Sequence, residues 1–122
     1  MTALADVQEA AARHGLRLLR AVPRGAGHLL LEVAGPDGAR TAGQWLPDPA
    51  GAQRVASQTR RTAPGPGLRL LDGHLLVQPG GADRRLPALG RLVRAGGRLV
   101  AHRPERRGVV VLPDGAYAKV LR

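Results

Sequence analysis

Short apolar runs, broken by glycine, proline and charge, dominate this chain. Three of them close it, at residues 98–102, 109–112 and 116–121. The first gap, 103–108, is charged and ends in Gly108; the second is Pro113-Asp114-Gly115. In such a turn Pro presets φ, Asp bonds back to the backbone and Gly supplies a positive φ. The pattern therefore predicts an antiparallel three-stranded meander. The same pattern stands near the start: an apolar run at 16–22, a basic glycine-containing loop at 23–27, a run at 28–33, Pro36-Asp37-Gly38, then a run at 39–46. Matched runs around an identical turn read as an internal repeat, although Pro-Asp-Gly is common enough as a connector to arise twice by chance.

Helical spacing fills the intervals. Leu4, Val7 and Ala11 share one face of a helix that Thr2 caps and Gly15 stops. Pro47-Asp48-Pro49 opens a second helix, with Asp48 as N-cap and Pro49 in the first position; it runs to about Thr62 and turns Ala52, Val55, Ala56 and Thr59 to one side. Pro64-Gly65-Pro66-Gly67 is a linker. Runs at 68–71 and 74–77 form a tight hairpin through Asp72-Gly73. A third helix begins at Leu86 or Pro87, continues to about Ala95 and ends at Gly96-Gly97. The expected class is α+β, an antiparallel sheet of meanders and hairpins with two or three helices. The chain divides into residues 1–83, a joining helix at 84–96 and a second meander at 97–122. The alternative is that the last meander joins the first sheet and completes one domain.

Composition narrows the chemistry. The chain has 122 residues, and Trp45 and Tyr117 are its only aromatic rings besides histidine, so the core must be built of Leu, Val and Ala. Cysteine is absent, which excludes disulfides, a thiolate nucleophile and Cys-ligated metal. No run has the length of a membrane span and the N-terminus lacks the pattern of a signal peptide; the expectation is a cytoplasmic protein with no membrane partner. The four histidines have no metal-ligand spacing, and neither a Gly-x-Ser-x-Gly elbow nor a Walker loop occurs. Asp37 and Asp114 are turn residues. The net charge is +10, of which residues 61–122 carry +8, much of it between Arg84 and Arg107. Such a surface attracts nucleic acid, nucleotide phosphates or an acidic partner. An arginine-rich composition spread over a solvated face accounts for the same charge without a ligand.

Lys119 is the only lysine among 19 basic residues. A compact ammonium in a chain that otherwise uses the wide arginine fork marks a position where the fork does not serve. Edge strands also favour Lys for solubility alone. The order strand, short loop, strand, tight turn, then Ala116-Tyr117-Ala118-Lys119-Val120 resembles the start of the aminoglycoside phosphotransferase and choline kinase-like family, which shares the protein-kinase fold. The resemblance covers about 25 residues at the C-terminal end. It implies a kinase N-lobe-like sheet in which Lys119 holds the α- and β-phosphates of ATP bound with Mg, Tyr117 lies near the adenine, and the loop with Arg106, Arg107 and Gly108 lies over the phosphates. Residues 1–83 then resemble a degenerate first N-lobe, with Ala42 where the second copy has Lys119. No acid stands between Asp48 and Asp72 to pair with a lysine. The chain departs from the family in lacking the Gly-x-Gly-x-x-Gly loop, the His-x-Asp catalytic loop and the Asp-Phe-Gly motif, so no catalytic or metal-binding residue is assigned to it. The implied function is the nucleotide-side segment of an ATP-dependent small-molecule phosphotransferase, inactive alone, whose partners are a C-terminal catalytic lobe, nucleotide and small-molecule substrate. Two alternatives stand beside it: a small basic module for nucleic acid or an acidic partner, and a structural lobe without ligand.

Overall fold

The two Pro-Asp-Gly turns fold alike. In the computed structural model, which describes residues 3–63 and 67–122, Asp37 Oδ1 accepts from Ala39 N at 3.0 Å and Asp114 Oδ1 from Ala116 N at 2.9 Å. Gly38 and Gly115 take φ of 82° and 88°, a region open to glycine at no steric cost. Each donates to the carbonyl three residues back, Gly35 or Leu112. Around these turns β1 (Arg17–Gly25), β2 (His28–Ala34) and β3 (Arg40–Trp45) form one meander, and β6 (Arg98–Arg103), β7 (Arg107–Val111) and β8 (Tyr117–Leu121) form the other. Both are antiparallel throughout.

Their surroundings differ. The first meander is extended by β4 (Arg69–Leu71) and β5 (Leu75–Gln78) into a sheet of order β1-β2-β3-β5-β4. Helix α1 (Ala3–Arg13) packs Val7, Ala10 and Ala11 on one face of it, against Leu29, Leu31, Trp45, Leu75 and Val77. Leu4, expected on that buried stripe, is 46% exposed, and Ala10 takes the inward position. Helix α2 (Pro49–Thr62) joins β3 to β4 and buries Ala52, Val55 and Ala56 against Leu46 and Leu76 on the opposite face. Asp48 caps it by accepting from Ala50 N and Gly51 N, a contribution of about 1 kcal/mol. The Thr2 cap and the Pro64-Gly65-Pro66 linker lie outside the described residues.

The second meander makes its own sheet, of order β6-β7-β8, and shares no ladder with the first. It does so because its inner face has its own cover: α3 (Pro87–Arg94) and the residue before it bring Leu89 and Leu86 onto Val110, with Leu99, Leu112 and Val120 around them. The architecture is thus α+β, with three α-helices, a 3-10 turn at Pro79–Gly81 and eight strands among the described residues. None of the described helices is long and apolar enough to cross a membrane.

A polar thread stitches the first sheet to the joining segment. His28 Nε2 donates to Gln44 Oε1 at 2.7 Å, Gln44 Nε2 to Gln78 Oε1 at 2.9 Å, and Gln78 Nε2 to the Ala82 carbonyl at 2.8 Å. Gln44 and Gln78 are fully buried, so each amide must find such partners or carry the cost of desolvation.

Gly108 is where the second sheet and α3 come closest. A Cβ there would stand 2.6 Å from both Leu89 methyl groups. Gly108→Ala is expected to destabilise the protein by about 1–3 kcal/mol. Urea unfolding of Gly108→Ala, Leu89→Ala and the double variant checks the cause, since the double should lose less than the two singles added.

Candidate phosphate-binding surface

Strand alternation gives the second sheet two unlike faces. The inner one is closed by α3. On the outer one β8 presents Tyr117, Lys119 and Leu121, all exposed, Tyr117 to 74% and Leu121 to 63%. Across the ladder Lys119 stands opposite Val109, Tyr117 opposite Val111 and Leu121 opposite Arg107. The lysine therefore rises from an apolar platform, and its ammonium makes no ion pair with any described residue. Of the residues expected to act with it, Tyr117 and Arg107 share this face. Arg106 is exposed in the turn between β6 and β7, where its N–H donates to the Arg103 carbonyl. Gly108 does not join them: it is buried on the opposite face, where its missing side chain admits Leu89.

The turn at Arg103–Arg106 does not stand free, as a loop draped over phosphates would. Pro104 and Glu105 are buried, and Glu105 has φ of 64°. A turn with Pro second and a left-handed third residue usually has Gly there. Here the strain is offset by what the carboxylate reaches. Glu105 Oε1 accepts from Arg24 Nη1 at 3.0 Å and from Arg84 Nη2 at 3.2 Å; Oε2 accepts from Arg84 Nε. Arg84 also donates to Gln58 Oε1 on α2. The Glu105 N–H donates to Asp83 Oδ2 at 2.8 Å, and His102 Nε2 bonds the same oxygen at 2.8 Å. Asp83 Oδ1 accepts from Arg85 N at 2.9 Å. Burial pushes the Glu105 carboxyl up, but the hydrogen bonds and charge of Arg84, helped by Arg24 and opposed by Asp83, outweigh it and hold Glu105 below the usual carboxylate range. The same bond to Glu105 raises Arg84 against the effect of its own burial.

The sequence singled out the basic stretch from Arg84 to Arg107 as one surface. The structure divides it. Arg84 is spent on Glu105 and Gln58, while Arg98, Arg103 and Arg107 stand on β6 and β7. Asp83, His102 and Glu105 were not read as a cluster. The available signal was Glu105 itself, the only acid between Asp83 and Asp114 in a run of arginines, directly after a proline.

The outer face sets the exposed ammonium of Lys119 beside apolar side chains, and among the described residues no carboxylate on it is free to hold a metal. Glu105 is committed to two arginines and Asp114 to its own turn. Among the described residues no three of His, Cys, Asp or Glu gather as a metal site. No protein-family model, curated protein or solved structure matches the chain.

Glu105→Gln removes the charge that neutralises Arg84 and Arg24. The expected loss at neutral pH lies toward the lower end of about 3–5 kcal/mol, because those arginine side chains keep 17% and 22% exposure. A carboxyl held low in the folded state stabilises it above the ordinary glutamate range, near pH 4.3, and loses that contribution as pH falls below it. Unfolding free energies of the two proteins measured from pH 7 downward should therefore converge through the acid limb.

Proposed function

We propose that this chain is the nucleotide-side segment of an ATP-dependent small-molecule phosphotransferase of the kinase-like class, with Lys119 as the residue that holds the phosphates. The observation that carries the reading is the place of Lys119: exposed, unpaired and set on an apolar strand face opposite Val109. An exposed, unpaired ammonium in such a setting is available to a polyanion. Tyr117 lies two residues away on the same face and offers a ring to a nucleobase. Arg107 shares that face and Arg106 the adjoining turn, so both are companions for phosphate oxygens; Gly108 is withdrawn from this role by Leu89.

The repeat supports the same reading. In the first unit the third strand, β3, pairs with β2 on one side and β5 on the other, and α2 follows it. In the second unit β8 pairs only with β7. A catalytic lobe covering the open side of β8 would supply what this unit lacks: the carboxylates that hold Mg and accept the acceptor's proton. ATP as donor places the work in the cytoplasm. Residues 1–83 serve as a docking lobe without a nucleotide of their own, since Ala42 stands where Lys119 stands in the second unit.

In the full-length protein, Lys119→Ala is expected to lower phosphotransfer from ATP on the order of 10²- to 10³-fold, as loss of one charge-stabilising group does. The circular dichroism spectrum and melting temperature should not change, because the side chain is exposed and unpaired. Undiminished turnover in this variant, or a wild-type protein that binds no ATP, overturns the assignment.

A further inference from the structure

The two sheets do not close on each other completely. Between the outer face of β6–β7 and the face of β1–β3 not covered by α1 lies a groove of two adjacent parts that share a wall. One part, about 190 Å³, is lined by Arg20, Arg103 and Arg107; the other, about 380 Å³, by Arg40 and Arg98. Glu32, Val100, Ala101 and His102 line both. A β-bulge makes this shared saddle. Leu99 pairs with Val110 and Ala101 with Val109, so Val100 is the extra residue, and two successive side chains face the groove.

The charges are distributed in a way that specifies a ligand. Arg20, Arg98, Arg103 and Arg107 make no side-chain hydrogen bond or ion pair with any described residue. Four guanidiniums left unpaired around one concavity raise the local positive potential, and a bound anion lowers it. The single carboxylate, Glu32, stands in the saddle and is held by Arg40 at 3.6 Å. It discourages negative charge in the middle and leaves both ends positive.

We infer that the groove between the sheets binds a small two-headed anion: a phosphate at the Arg20–Arg103–Arg107 end, an apolar middle across Val100 and Ala101, and a second anionic group at Arg98. Three guanidiniums at one end match the terminal oxygens of a phosphate. Lys119 does not line the groove, which shares Arg107 and Val109 with the face that carries Lys119.

The test uses linear alkanediol bisphosphates of three to six carbons against alkyl monophosphates of equal length, by titration calorimetry on the full chain at physiological salt. One bisphosphate of the series is expected to bind at least tenfold more tightly than its monophosphate. Arg20→Gln and Arg98→Gln, both exposed positions, should each bring the bisphosphate down to the level of the monophosphate. Arg60→Gln with Arg61→Gln, on α2, removes more charge and should change affinity less than twofold. Equal binding of the mono- and bisphosphates, no binding of either, or the same loss in the α2 variant overturns the proposal.

Discussion

The carboxylate of Glu105 ties the two halves of this molecule to each other. It sits at the tip of the β6–β7 turn, but its partners come from the β1–β2 end of the first sheet, through Arg24, and from the segment leading into α3, through Arg84. Arg84 carries the link on to Gln58 of α2. A left-handed backbone at a residue other than glycine, of order 1–3 kcal/mol in cost, persists only where surroundings over-determine it. Here they do: both carboxylate oxygens and the N–H of Glu105 are engaged. Glycine would relax the turn and undo the join. The network is ionic and buried, so it specifies one arrangement of the sheets more than it adds net stability.

That join also explains why the turn and the platform beside it have separate tasks. Pro104 and Glu105 face inward and fix the sheet, while Tyr117 and Lys119 stay exposed on β8 and Arg107 and Val109 line the groove facing the first sheet. The groove follows from the same geometry. Glu105 ties the β6–β7 tip to the first sheet through Arg24, and the bulged residue Val100 lines the groove beside it.

Most of the fold was legible because it is written in local chemistry. Asp48 with Pro49 announces the start of α2, and the two Pro-Asp-Gly turns announce both meanders; these signals act within a few residues and need no tertiary context. Lys119 and Tyr117 were placed on one strand face by alternation alone. What escaped was long-range. Nothing near Gly108 says that Leu89 will need its space, so a buried packing glycine looked like the end of a phosphate loop. Leu4 matched the helical stripe as well as Ala10 did, and only the position of the sheet decides between them. Arg84 looked like its neighbours in the basic run until Glu105, 21 residues away, claimed it.

The repeat shows how one position can keep or lose a charge according to its neighbours. Ala42 lies between Glu32 on β2 and Gln78 on β5 and is 8% exposed. An ammonium there would lose most of its hydration beside Glu32, whose carboxylate Arg40 already engages at 3.6 Å, and α2 contains no acid to add. Alanine is what such a site tolerates. Lys119 occupies the equivalent place on a strand with one free edge, stays hydrated and costs the fold little. The first unit, extended by β4 and β5 and packed against α2, buries the position; the second leaves it exposed on β8.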